Sequence, residues 1–169
     1  FLKKHAIVMY NDLVLKYISI MEKIYSSGAS TYISEIGSLI NDKSEKVSLI
    51  SSEDLPKELL GLIEKRTSIA LNDLESNSII PMLAKQKQQK FHYEEIFKSL
   101  NKFVMDLIVS EVLFFNDFFD LDPSKSSSKL NDLFKNTVTV VCEFLKKSCI
   151  LKTHDFIAIA LMIILNLEQ

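Results

Sequence analysis

One stretch limits this chain more than any other: Phe91 to Asp120, FHYEEIFKSLNKFVMDLIVSEVLFFNDFFD. Apolar residues recur at Ile96 and Phe97, Leu100, Phe103 and Val104, Leu107 and Ile108, Phe114 and Phe115, and Phe118 and Phe119. Steps of three and four lay a wide apolar stripe along one side of an α-helix. The four phenylalanines at its end cannot all face one way, so one or two are expected to point outward. Glu111 breaks the stripe, standing where Leu107 and Phe114 predict another apolar residue. A buried carboxylate needs a charged partner or several hydrogen bonds. Arg66 is the only arginine, and its pairing with Glu111 would pin the 66–90 segment onto the helix. At the stripe's edge, Glu111 would instead reach water.

Few residues interrupt helices here. Only three glycines and three prolines occur in 169 residues, so long helices are expected. From Lys3 to about Ile40 a stripe runs through Ile7, Tyr10, Leu13 and Val14, Tyr17, Met21, Ile24 and Tyr25, Tyr32, Ile36, and Leu39 and Ile40. Gly28 and Ala29 fall on it, where small residues would let a neighbouring helix approach closely. The stripe then continues through Gly28 as one helix of about 55 Å. Gly28 could equally end one helix and begin another.

Residues 41–54 are polar and read as a loop, and a short helix is expected from about Leu55 to Lys65, with Asp54 as its cap. The 66–90 stretch shows no sustained period, and Pro81 after Asn77 and Ser78 predicts an extended or turning segment. Loops of that length in compact domains are commonly functional. Ser127 or Ser128 is expected to cap the next helix, and Thr153 the last one. That last helix holds the longest apolar run, Phe156–Leu165, whose ten residues are too few to span a bilayer. The expected fold class is all-α, an elongated, rod-like bundle formed as one helical module over 1–169. The chain opens on Phe1 and shows no signal peptide, as expected of an internal piece of a larger subunit.

Composition excludes several function classes. A net charge of −2 with one arginine lacks the clustered cations that nucleic-acid binding requires. His5 and His92 stand alone, so no metal-ligand spacing is present, and no glycine-rich phosphate loop occurs. No cofactor is expected. Cys142 and Cys149 lie seven apart on a helical stretch, about 10.5 Å along the axis, too far to bridge each other. Cys149 with His154 and Asp155 is a weak candidate for thiol chemistry, because adjacent His and Asp point in different directions on a helix. The expectation is a non-enzyme.

The spelling adds to the period. Tyr93 to Ser99, then Asp106, Glu111, Leu113, Phe114, Phe118 and Phe119, resemble the vacuolar protein sorting-associated protein 52 family. Upstream, Arg66, Ile69, Leu74, Glu75, Ile79, Ile80 and Pro81 look like that family's approach to the aromatic helix. Farther back, Phe1, Leu2, Tyr17, Met21, Lys23, Ile24, Tyr25 and Tyr32 are similar to its preceding helix, and Phe134, Thr137, Asp155 and Ala158 continue in register. Lys98 stands where arginine is common, Val112 where tyrosine is expected, and Gly28 to Ser30 replace a bulkier basic stretch.

The resemblance implies a subunit of the Golgi-associated retrograde protein (GARP) complex, a vesicle-tethering assembly in endosome-to-Golgi retrograde transport. It implies a peripheral place on the cytoplasmic face of the trans-Golgi network, with endosome association. The implied partners are the other tether subunits, joined mainly through an amino-terminal coiled coil outside these residues, a Golgi Rab GTPase, and SNAREs indirectly. Because loops on rigid scaffolds commonly carry contacts, Leu74, Glu75, Ile79 and Pro81 are the candidate partner-binding residues. Alternatively, Ile79 and Ile80 only clamp the segment to the bundle, and the module is a passive rod spacing other domains.

Overall fold

A computed structural model describes residues 2–41, 57–71, 77–121, 123–151, 153 and 155–168. It is all-α. The elements are α1 (Leu2–His5), α2 (Ile7–Gly37), α3 (Lys57–Leu71), α4 (Pro81–Gln86), α5 (Tyr93–Phe119), α6 (Pro123–Phe144) and α7 (Phe156–Glu168), with a π-helical turn at Leu145–Ile150 after α6. Among the described residues the β pairing recorded is one isolated parallel bridge, Ile40 to Phe91. The chain groups into two compact units, residues 1–33 with 104–143 and residues 34–103 with 144–169.

The first unit is built on aromatic packing. Tyr10, Val14 and Ile18 of α2 meet Phe115 and Phe119 of α5 and Leu133 and Phe134 of α6 in one buried cluster. Tyr17 lies edge-on to Phe119 at 5.2 Å, and Tyr25 stacks on Phe134 at 5.6 Å with the rings 8° from parallel. Offset and edge-to-face contacts of this kind add to the burial of the rings. Tyr10 donates its hydroxyl proton to the Phe119 carbonyl at 2.6 Å, satisfying a helix-end acceptor. Phe114 and Phe118 stack on each other at the exposed edge of this cluster, one helical step round α5 from Phe115 and Phe119. Two of the four phenylalanines therefore face outward, as the sequence required of one or two.

α2 passes through Gly28 without a break, so that reading holds, but Ala6 separates α1 from α2 and the helix runs 31 residues, Ile7–Gly37, rather than from Lys3 to Ile40. Of the two small residues expected to admit a neighbour, Gly28 faces open space, where a Cβ would meet nothing, and Ala29 is fully buried. α5 ends in a Schellman turn: the Leu121 N–H reaches the Asn116 carbonyl at 3.1 Å, and Asp120 takes φ 48°. Lys3 pairs with the Asp120 carboxylate at 2.9 Å and holds it below the usual carboxylate range.

Among the described residues, two small cores can be followed in the second unit. One gathers Tyr93, Cys149, Ala158 and Met162, and the other Ala70, Leu161 and Leu165. α7 thus buries Ala158, Leu161, Met162 and Leu165, while Phe156, Ile163 and Leu167 stay exposed.

Several boundaries differ from expectation. α3 runs to Leu71 rather than stopping at Lys65, because Arg66 and Ala70, four apart, share its buried face. A buried guanidinium on that face leaves no apolar period to read. Residues 81–86 are helical rather than extended, with Pro81 at the favoured first position. α6 starts at Pro123, ahead of Ser127 and Ser128, again with proline first. α7 is capped by Asp155, not Thr153: Asp155 Oδ1 accepts the Ala158 N–H at 3.0 Å, and Thr153 Oγ1 accepts the Asp155 N–H at 3.1 Å.

Candidate docking surface

In the second unit a buried guanidinium ties three helices. Arg66 of α3 donates from Nε and Nη2 to the two oxygens of Glu94, at 2.8 and 2.7 Å, and from Nη1 to Asp155 Oδ2 at 2.7 Å. Arg66 and Glu94 are 4% and 1% exposed. Glu94 sits in the first turn of α5 and Asp155 caps α7, so both carboxylates lie at the positive ends of helix dipoles. Two acids around one cation are tolerated because those helix ends and hydrogen bonds share their charge. Burial alone would lower the guanidinium pKa; the bonds and charges of Glu94 and Asp155 outweigh it and raise it. A planar fork suits this arrangement in a way that a lysine ammonium does not.

The expected pair of Arg66 with Glu111 is therefore corrected. Glu111 has its own partners, the hydroxyls of Tyr17, at 2.7 Å from Oε1, and Tyr25, on Oε2. It is 4% exposed, so the reading in which it reaches water fails as well. The two phenols stand eight residues apart on α2 and grip the carboxylate from both sides. Burial first, then the hydrogen bond to Glu111, raises both tyrosine pKa values. Two neutral donors thus do the work assigned to one cation.

Of the candidate partner-binding residues, Leu74 and Glu75 lie outside the described residues. Ile79 and Pro81 are half-buried, and the exposed apolar side chains are those beside them: Ile80 at 55%, Met82 at 66% and Leu83 at 44%. This ridge is held at both ends. The Ile79 N–H donates to Ser99 Oγ at 2.8 Å. Beyond α4, Gln89 and Gln88 close a Schellman turn on Ala84 and Lys85, with Gln88 at φ 52°. Phe91 then bridges residues 39–41, its N–H on the Leu39 carbonyl at 3.0 Å and its carbonyl accepting the Asn41 N–H at 2.8 Å. The clamp that Ile79 and Ile80 were expected to provide thus falls to Ile79, Ala84 and Phe91, leaving Ile80 outward.

Beside the ridge a cleft of about 200 Å³ opens, lined by Ile69, Ile79, Phe91, Glu95, Lys98 and Lys102 among others. Glu95 completes half a capping box, its Oε2 accepting the His92 N–H at 2.9 Å. Burial raises the Glu95 pKa against that bond. Sequence reasoning missed Glu94 and Asp155 as the partners of Arg66. Glu94 reads as an ordinary first-turn acid, and nothing local marks it as the partner of a residue 28 positions away. Cys149 is buried, its thiol pKa pushed up to about 12 by desolvation, so it is no nucleophile at neutral pH. His154 lies outside the described residues.

The family described as "Vps52, C-terminal" matches residues 19–168. Vacuolar protein sorting-associated protein 52 A of Arabidopsis thaliana is 26% identical over 99% of this chain and 24% of its own length. The B form from the same plant is 28% identical over 70% of this chain and 19% of its own. The homolog of Mus musculus is 23% identical over 88% and 22%. The chain thus spans about a quarter or less of the curated relatives it matches. No solved structure matches it.

Proposed function

Because the chain belongs to the Vps52 family, we propose that it is the docking portion of a vesicle-tether subunit acting in endosome-to-Golgi retrograde transport. It works within the GARP complex on the cytoplasmic face of the trans-Golgi network, as a non-enzymatic module. Its partner is a Golgi Rab GTPase in the GTP-bound state. Other tether subunits join through regions beyond these residues, and SNAREs are reached indirectly.

The observation that carries the reading is the ridge of Ile80, Met82 and Leu83: apolar, exposed, and fixed on a tied scaffold. Contiguous exposed apolar side chains on a rigid base favour protein partners, since little freedom remains to be lost on binding. Among the described residues no helix is long and apolar enough to cross a membrane.

The test is binding of the purified chain to a Golgi Rab GTPase loaded with a GTP analogue or with GDP. Binding restricted to the GTP form is expected. A folded chain that binds neither form would move the docking site elsewhere and leave a spacer.

A further inference from the structure

In the first unit, α2 carries a second apolar face besides the one it buries. Met9, Leu13, Ile20 and Ile24 fall within about 60° of each other round the helix. The Tyr17 ring joins this stripe to α5, meeting Phe114 at 5.8 Å, and Phe118 stacks on Phe114. Leu13 and Phe118 line one cleft. These six apolar side chains are 42% to 63% exposed. A helix face turned to water is expected to be polar, and α6 obeys: among its described residues, Val138 is the exposed large apolar side chain. The face shared by α2 and α5 has instead the composition of one that another helix covers.

The two rims of this face differ in sign. Lys16 stands one turn from both Leu13 and Ile20, on their outer side, and Lys23 continues that row, with Asp12 a further step round the helix. On α5, Asp117 stands one turn on from Phe114, also on the outer side. Lys16, Lys23 and Asp117 are all exposed. Tyr10 reaches Phe119 and Tyr17 reaches Phe114, so the helices run antiparallel and Lys16 and Asp117 lie at one height. A two-fold axis along the groove lays α2 of each copy over α5 of the other and brings each Lys16 to an Asp117. An axis across the groove sets lysine row on lysine row. We propose that this face binds a second copy of the chain in the lengthwise arrangement, with the apolar stripes at its centre and two Lys16–Asp117 pairs at its rim. Two copies of the six side chains would together cover about 1,000 Å², the size at which a specific interface begins.

The test is the mass of the 169-residue chain in solution, by sedimentation equilibrium. A reversible monomer–dimer equilibrium is expected between about 1 and 200 μM, the affinity of a small interface. Leu13→Asp with Ile20→Asp should weaken it about tenfold or more. Both positions are exposed, so the variant should keep its fold, which its melt checks. Lys16→Asp and Asp117→Lys should each weaken the dimer about fivefold. The two changes in one chain should restore it, and so should mixing the two single variants. Unspecific apolar association would show no such rescue.

A chain that stays monomeric throughout that range overturns the proposal and leaves the face to a helix of another protein. So does a dimer that survives Leu13→Asp with Ile20→Asp, or one whose charge-reversed variants do not rescue each other. Ile80→Asp with Met82→Asp, on the docking ridge, should leave the dimer unchanged. Loss of the dimer in that variant would place self-association on the ridge and overturn the proposal as well.

Discussion

Arg66 meets Glu94 through two parallel hydrogen bonds, Nε to Oε1 at 2.8 Å and Nη2 to Oε2 at 2.7 Å, with both side chains buried. The third guanidinium nitrogen continues to Asp155, so one residue sets the positions of α3, α5 and α7 against each other. Removing one member of a buried pair leaves an uncompensated charge, which costs about 3–5 kcal/mol. Arg66→Met and Glu94→Gln should each destabilise by that order, and the double variant should cost clearly less than their sum. Denaturant midpoints of the single and double variants measure the coupling.

Asp155 has two roles that substitution separates. Asp155→Asn keeps the cap on α7 and loses the charge facing Arg66; Asp155→Ala loses both. The alanine variant should be less stable than the asparagine variant by about 1 kcal/mol, the usual worth of an N-cap. Equal melting temperatures would show that the cap contributes nothing.

Tyr17 and Tyr25 hold Glu111 as neutral donors, which ties stability to alkaline pH. Their pKa values are raised on folding, so the folded state retains protons that the unfolded chain releases. The contribution is complete below the unfolded value of about 10 and is lost as pH rises beyond it. Urea midpoints should fall between pH 9 and 11, and less steeply in the Tyr17→Phe, Tyr25→Phe double variant. At pH 7 each single Tyr→Phe change should cost about 1–3 kcal/mol, because Glu111 loses one of its donors.

Gly28 and Ala29 are neighbours with opposite environments, open space beside one and full burial for the other. Gly28→Ala should stabilise by about 0.5–1 kcal/mol, the gain of alanine over glycine within a helix. Ala29→Leu should destabilise by overpacking, about 1–3 kcal/mol. Thermal melts of the two variants should move in opposite directions.

The thiols should also differ. Cys142 is exposed, whereas Cys149 is buried with its pKa pushed up to about 12. A thiol reagent at pH 8 should label Cys142 in the native chain and both residues only after denaturation.

What the sequence made legible was local. The stripe of α5 and the passage of α2 through Gly28 follow from spacing and from scarce glycine and proline. Glu111 was recognisable as a buried oddity because it interrupts an apolar period. Its partners were not, since Tyr17 and Tyr25 read as ordinary members of another stripe and only the packing of two helices brings them to it. The same holds for Arg66. Its rarity marked it as important, yet the acids it meets are 28 and 89 positions away, and each has an ordinary local reading as a first-turn or cap residue. The π-helical turn at Leu145–Ile150 has no sequence mark that we can name. Of the four residues assigned to partner binding, Ile79 is half-buried with its backbone N–H on Ser99 Oγ, and its neighbours Ile80 and Met82 carry the exposed surface. Period alone cannot tell these faces apart over so short a segment.

The measurement that reaches the central claim most directly is a titration of the chain with a Golgi Rab GTPase held in its GTP form. Unmodified chain and the Ile80→Asp, Met82→Asp variant would be compared, each shown to be folded by its melt. Saturable binding by the unmodified chain, weakened at least tenfold in the variant and absent with GDP, is the predicted result. Equal affinity of the two chains, or no binding by either, would contradict docking through this ridge.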